Sequence, residues 1–279
     1  MSPSDRLHSP MAASAPACSP GAPGGPVDPA HRPLDLPPSR GAGDRAVVMV
    51  HGFTSGPHSV KDWAHALAER GSRVIVPLLP GHGTRWQDLN RVTAQEMRRA
   101  VREHVDRALA EHRHVVVAGL SMGGALALDA AAHRPVAGVA VVNPALSFGQ
   151  RLAHAAPLLR WVVPSTTPVA DDAAAPVSEH AYPRTPVGGV AELGRIQRAA
   201  VRGLPRITAD VVSYWSPQDH VVPPSSQDRL RAGLTQAGFE QVRLERSFHV
   251  ATMDHDLPVI IEHSAAFVDR VCRQRAAHR

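Results

Sequence analysis

The sequence predicts an α/β fold: a mostly parallel, doubly wound sheet covered by helices on both faces. Three observations predict it. Short, wholly apolar runs recur along the chain, as expected of strands buried on both sides. Amphipathic helical segments separate them, which is the rhythm of βαβ units. One stretch of about sixty residues interrupts that rhythm and then lets it resume, and it is too long for a plain connection.

Met1 to about Gly43 is dense in Pro, Ala, Ser and Gly and buries too little apolar surface to offset its ordering entropy, so residues 1–43 are expected to be disordered. The many prolines leave no continuous apolar centre there, so it does not read as a secretory signal. The folded domain is expected over 44–279. Its first strand is Ala46-Val47-Val48-Met49-Val50. Ser59 to Arg70 reads as a helix with Trp63, Ala66 and Leu67 on one side and Gly71 as its stop. Val74-Ile75-Val76 is the next strand, and Thr93 to His112 a long amphipathic helix. Val115 to Ala118 is a third strand, Met122 to Ala132 an Ala-rich helix, and Val139 to Val142 a fourth strand. From Pro144 to about Pro205 come prolines, the Gly188-Gly189 pair and helical pieces at 152–163 and 190–201, read as a lid over the sheet's carboxyl edge. The rhythm resumes with a strand ending near Tyr214, a helix from Ser225 to Ala237, the strand Gln241 to Leu244, and a closing helix from Leu257 to Arg273.

Composition excludes several classes. With 43% hydrophobic and 20% charged residues, the chain is that of a globular protein. The formal net charge is +5, but all except one of the 30 basic residues are arginine, and no cluster of them is interleaved with aromatics. That pattern reads as compositional bias, and no nucleic-acid partner is expected. Two cysteines, Cys18 and Cys272, form no disulfide framework or zinc pattern, which fits a reducing, cytoplasmic setting. No segment reaches the roughly 18 apolar residues needed to span a bilayer, so stable membrane insertion is not expected.

The chemistry is carried by Gly119-Leu120-Ser121-Met122-Gly123. G-x-S-x-G is a weak pattern alone, but here a buried strand precedes it and a helix follows, the setting of a nucleophile elbow. The two glycines remove side chains that would collide in a tight turn. Ser121 is thereby pushed out at the amino end of a helix, where the helix field favours negative charge. A serine hydroxyl needs a base, and in this arrangement the chain order is Ser, then acid, then His. His249 follows the last strand and is the chosen base. His255, six residues on, is its rival but falls at the start of the final helix. Asp219, after the strand ending near Tyr214, is the chosen acid, which would orient His249. The other customary acid position holds Asn143-Pro144, which carries no charge, while Asp210 begins a strand and Asp228 lies within a helix. The backbone N–H groups of Met122 and of Phe53, in His51-Gly52-Phe53-Thr54 after the first strand, are the candidate oxyanion donors, with Gly52 allowing close approach.

Together, His51-Gly52-Phe53-Thr54-Ser55-Gly56-Pro57, Leu79-Pro80-Gly81-His82-Gly83-Thr84, the elbow with Gly124, Asp219-His220-Val221-Val222-Pro223-Pro224 and His249-Val250-Ala251-Thr252 resemble bacterial carboxylesterases and monoacylglycerol lipases of the α/β-hydrolase superfamily. The resemblance spans roughly Ala46 to Val268. It implies hydrolysis of short to medium acyl esters, monoacylglycerols among them, through an acyl-enzyme, with no metal or organic cofactor. It also implies a small helical cap after the sixth core strand, matching Pro144 to Pro205, and a monomer or homodimer acting on a small-molecule ester or lipid. Leu152, Leu158, Leu159, Trp161 and Val162 in that cap either line an acyl tunnel or form the cap's own core, and Glu192 is a candidate for receiving a glycerol end. An acyltransferase or C–C hydrolase would share the triad. A non-catalytic binding protein on the same scaffold usually lacks a triad member, and here all three positions are filled.

Overall fold

Alternation along each central strand decides the architecture. In the strand Arg45–Val50, Ala46, Val48 and Val50 enter one apolar cluster, while Val47 and Met49 enter another on the opposite face. Side chains pointing to both faces are apolar, so both faces must be covered. The computed structural model describes residues 25–39 and 43–277, with 151, 152 and 275–277 in backbone only. In chain order its elements are β1 (Leu34–Leu36), β2 (Arg45–Val50), α1 (Lys61–Glu69), β3 (Arg73–Val76), α2 (Trp86–Leu89), α3 (Ala94–Glu111), β4 (His114–Leu120), α4 (Met122–Ala131) and β5 (Gly138–Val142). These are followed by α5 (Ala156–Leu159), β6 (Ser165–Thr166), β7 (Thr185–Pro186), α6 (Val187–Gly203), β8 (Asp210–Trp215), α7 (Ser225–Gly233), β9 (Phe239–Arg243) and α8 (Leu257–Ala277).

Seven strands form one sheet in the order β1-β3-β2-β4-β5-β8-β9, parallel throughout except for β1, and β6 and β7 form a two-residue ladder of their own. On one face α3, α4, α6 and α7 bury residues such as Met97, Val101, Leu126, Ile196 and Leu230 against the sheet. On the other, α1 and α8 bury Trp63, Leu67, Ile260 and Phe267, and Trp63 Nε1 donates to Ser264 Oγ at 2.9 Å. α3 begins with a reciprocal capping box between Thr93 and Glu96, which satisfies two orphan donors. Gly71 adopts φ 91° after α1, as its role as a stop requires.

Two expectations change. Of residues 1–43, expected to be disordered, 1–24 and 40–42 lie outside the described residues, while 29–36 are built into the fold. Leu34 and Leu36 pair antiparallel with Val76 and Val74 and pack on the second cluster, while Asp35 takes two hydrogen bonds from Arg73, each 2.9 Å. Prolines on either side disguised this strand, yet a sheet edge is where prolines are tolerated. The insertion is also smaller than 144–205. α6 packs along α4, and its Leu193, Ile196 and Ala200 belong to the core cluster, so this helix covers the sheet and the cap proper is the stretch before it. In chain order that stretch follows the fifth strand, β5, because β1 is the only strand before β2.

Candidate active site

β4 ends at Leu120 and α4 begins at Met122, which leaves Ser121 alone in the turn with φ 55° and ψ −116°. A non-glycine residue held there stores of order 1–3 kcal/mol of strain, and such strain persists only where the surroundings over-determine it. Here they do. Ser121 N–H donates to the Val142 carbonyl at 2.9 Å, and the Ser121 carbonyl accepts from Ala145 (3.0 Å) and Ala125 (3.1 Å). The glycines are steric necessities: a Cβ on Gly123 would lie 2.0 Å from the Val50 carbonyl oxygen, and one on Gly119 would lie 2.4 Å from Gly123. Gly52 is not so constrained. A Cβ there would make ordinary contacts, 3.8 Å from Leu120 and 3.9 Å from Ser121 Cβ, so its lack of a side chain leaves space beside the serine and relieves no clash.

His249 lies between β9 and α8, and Asp219 between β8 and α7. The structure brings them together: His249 Nδ1 and Asp219 Oδ2 are 2.8 Å apart, with side chains 8% and 3% exposed. An ionised carboxylate only accepts, so Nδ1 carries the proton and Nε2 is left as the acceptor. The other Asp219 oxygen accepts from the backbone N–H groups of Val221 and Val222, both at 2.8 Å, which fixes the carboxylate. Burial alone would push the His249 imidazole down, but the charge and hydrogen bond of Asp219 outweigh it and hold the ring above the ordinary value of 6.5. His255, the rival base, has a 45% exposed side chain whose ring lies 4.0 Å from Asp254, and among the described residues neither Asp210 nor Asp228 bonds to His249.

Ser121 and His249 open into one cavity of about 310 Å³, whose wall also includes Phe53, Leu159, Val190 and Glu179. The Ser121 hydroxyl has no hydrogen-bond partner among the described residues, so the Ser–His link is open, as is common for catalytic contacts before substrate binds. The loop carrying Phe53 is set by His51, which is fully buried. Its Nε2 accepts from the Leu79 N–H at 3.1 Å, so Nδ1 donates to the Gly52 carbonyl at 2.9 Å. Burial, then the neighbouring His82, keep His51 far below 6.5 and therefore neutral. The Met122 N–H lies in the first turn of α4, beside Ser121, and its side chain is fully buried.

The cap departs from expectation. Leu158, Trp161 and Val162 are 80%, 84% and 76% exposed and do not line the cavity, while Leu159 and Val163 do. α5 turns Ala156 and Leu159 toward the cavity, and Val163, beyond the helix, joins them through its N–H donating to the Leu159 carbonyl at 2.8 Å. The side chain of Leu152 lies outside the described residues. Glu192 is buried away from the cavity, where Arg160 (3.0 Å) and Arg195 donate to one of its oxygens and the Ala94 N–H donates to the other at 3.0 Å. The carboxylates that do reach the cavity are Asp172 and Glu179, and burial raises the Glu179 carboxyl above its ordinary value.

Two positioning residues escaped sequence reasoning. Buried Asn143, at φ 42°, donates through Nδ2 to the His249 (2.9 Å) and Phe248 (3.2 Å) carbonyls and to Ser216 Oγ (3.0 Å), and accepts the Ser216 N–H at 2.9 Å. Asp172, from the cap, accepts from the His249 N–H at 3.2 Å and from the His220 N–H and ring at 3.1 and 2.8 Å. The signal for Asn143 was its place at a strand end beside the acid position, which had been judged only for charge. Among the described residues no group of three or more His, Cys, Asp or Glu side chains is arranged to hold a metal ion.

Comparison with known proteins agrees with this fold. The model of the alpha/beta hydrolase family matches residues 47–270. A thermostable monoacylglycerol lipase of Bacillus sp. (strain H-257) is 36% identical over 231 residues, covering 81% of this chain and 90% of that protein. A solved structure from a study of two metagenome-derived lipolytic enzymes, LipS and LipT, superposes with a TM-score of 0.83 at 32% identity, over 88% of this chain and all of that one. A monoglyceride lipase of Saccharomyces cerevisiae, solved with a substrate analogue, shares the fold at a TM-score of 0.72 and 14% identity, over 86% of this chain and 91% of that one. The chain belongs to the alpha/beta hydrolase family, within its group of esterases and monoacylglycerol lipases.

Proposed function

We propose that this protein is a serine carboxylic-ester hydrolase acting through an acyl-enzyme, with Ser121 as nucleophile, His249 as general base and Asp219 as its orienting acid. The observation that carries the reading is the Asp219–His249 hydrogen bond of 2.8 Å in the wall of the cavity into which the strained Ser121 opens. His249 Nε2 takes the hydroxyl proton as Ser121 Oγ bonds to the ester carbonyl carbon. The Phe53 and Met122 N–H groups stabilise the resulting oxyanion, each worth roughly 3 kcal/mol to the transition state. The tetrahedral adduct collapses, the alkoxide leaves with the proton from Nε2, and an acyl-Ser121 remains. Water gives a proton to Nε2 as it attacks that carbonyl, and the second collapse returns the proton to Ser121 and frees the acid.

Monoacylglycerols are the substrate class this reading favours, and two features support it. One is the similarity to the Bacillus lipase. The other is the division of the cavity: α6 and α5 offer an apolar wall for an acyl chain, while Glu179 and Asp172 put carboxylates where alcohol hydroxyls would need acceptors. Ser121→Ala should reduce hydrolysis of glycerol monoesters by at least about 10⁴-fold and abolish labelling by a fluorophosphonate, with the thermal midpoint retained. A variant that still turned over at near the native rate would sink the assignment.

A further inference from the structure

The helix α6 presents Val187, Val190, Leu193 and Gln197 to the cavity, at spacings that keep them on one face. The first three are the surface an alkyl chain needs, and Gln197 is not. Its side chain is 5% exposed and has no hydrogen-bond partner among the described residues. Other buried polar side chains on the same wall are engaged. Ser147 shares hydrogen bonds with Ser225 and Ser226, Thr185 accepts from the Val169 N–H, Glu179 accepts from the Asp171 N–H, and His249 holds Asp219. Besides Gln197, the unpartnered case is the Ser121 hydroxyl, which already has a substrate atom to meet.

A primary amide offers two donors and an acceptor, and buried polar groups are overwhelmingly hydrogen-bonded. An amide that faces a cavity and finds nothing in the protein is completed by what enters the cavity. We infer that Gln197 is a specificity-determining residue that hydrogen-bonds an oxygen carried on the acyl chain, so that the site prefers esters of hydroxyacyl or oxoacyl acids to unsubstituted alkanoyl esters. This rests on the esterase reading above. The oxygen would lie well along the chain from the ester. α6 starts beside the Phe53 ring, which is 3.0 Å from where a Cβ on Gly189 would stand, and Gln197 is eight residues further on, roughly 12 Å at 1.5 Å per residue. An alkanoyl chain displaces water from the amide and leaves it unpaired. A chain with an oxygen at that depth restores the bond, and sites of this kind discriminate strongly against the analogue that lacks the polar group.

The test compares kcat/KM for 4-nitrophenyl decanoate with that for the decanoates bearing a hydroxyl at each successive position, and one oxo analogue, in the native protein, Gln197→Met and Gln197→Leu. The native protein should favour at least one oxygenated chain by about tenfold or more. Both variants should lose that preference and gain on plain decanoate, with thermal midpoints measured to show that they fold. Native turnover of plain decanoate equal to or above every oxygenated chain would overturn the inference while leaving the esterase reading intact. A preference unchanged in a folded variant would do the same. Failure of the native protein to cleave any ester would remove both.

Discussion

Replacing Asn143 by alanine tests whether the strand ends, rather than the triad alone, hold the base. Asn143 is 1% exposed, and its orientation is fixed because Oδ1 accepts a backbone N–H. Truncation removes the equivalent of three hydrogen bonds, because the two Nδ2 protons are shared among three acceptors and Oδ1 accepts one N–H, each with a net worth of about 1 kcal/mol, and strands the Ser216 N–H and two carbonyls in a buried place. At φ 42° alanine also incurs about 1 kcal/mol that asparagine largely avoids. The expected loss of stability is therefore about 4 kcal/mol, read from urea unfolding. Asn143→Gly, which relieves the backbone strain but makes none of the bonds, should recover only about 1 kcal/mol of it. The kinetic signature is separate. The bond to the His249 carbonyl anchors the loop that aims the imidazole, and misplacement by about 1 Å costs on the order of 10²-fold in rate. kcat should fall by that order while KM changes little. A loss below about 1 kcal/mol together with native kcat would refute the reasoning.

Three further outcomes follow from the same contacts. The rising limb of kcat/KM against pH should lie above 6.5, because Asp219 stabilises the protonated ring and catalysis needs the neutral one. Asp219→Asn should lower kcat by about 10⁴-fold and move the limb downward, and a native limb at or below 6.5 would contradict this. His82, 2% exposed and pushed by burial down to about 4, binds its proton more weakly folded than unfolded. Its contribution to stability is complete above 6.5 and lost as pH falls toward 4, costing about 3 kcal/mol, so His82→Gln should flatten the acid side of the stability profile measured by urea unfolding. Finally, Glu192→Leu should destabilise by about 2–3 kcal/mol, through the stranded Ala94 N–H and two unpaired arginines, without changing KM. Glu179→Gln should raise KM for a glycerol monoester several-fold and leave the 4-nitrophenyl ester of the same acid little affected. The opposite assignment of effects, read in the same two assays, would return Glu192 to the site.

The sheet and its elbow were legible because each strand repeats one physical message. Val47 and Met49 face one cluster and Val48 and Val50 the other, so an unbroken apolar run can only be a strand covered twice. The elbow was legible for a related reason: no side chain fits at 119 or 123, so the glycines announce the turn. Asp219 and His249 followed from chain order, since each sits just past a strand end. Residues that act through their backbone partners gave no such signal. Asn143 was judged for a charge it lacks, when its use is a side chain that both donates and accepts at a left-handed position. β1 was hidden by prolines on either side, which local composition registers and edge pairing forgives.

The cap resisted reading for a different reason: its order is fixed by contacts with the rest of the molecule rather than by its own periodicity. The limb from 169 to 182 is tied down at many points. The Asp172 carboxylate and carbonyl hold His249 and Val250, and Asp254 accepts from the Ala174 and Ala175 N–H groups. Ser55 donates to the Glu179 carbonyl, and the Tyr182 N–H to the Thr54 carbonyl. The limb from 148 to 163 is joined to its surroundings by Arg160 on Glu192 and by a small apolar cluster of Ala156, Leu159 and Val163 with Val187, Val190 and Ala191, and it leaves Leu158 and Trp161 in solvent. Segments with few buried contacts open at lower free energy than those tied into the core. The two ends of the cavity therefore differ in stiffness. The carboxylate end, beside the base, is held by the same hydrogen bonds that orient His249, while the apolar end is bounded by one turn of helix. On the proposed reading, alcohol selectivity is therefore expected to respond to substitution of Glu179 and Asp172, and tolerance of acyl length to substitution in the α5 limb, as paired series of glycerol monoesters and acyl lengths would show.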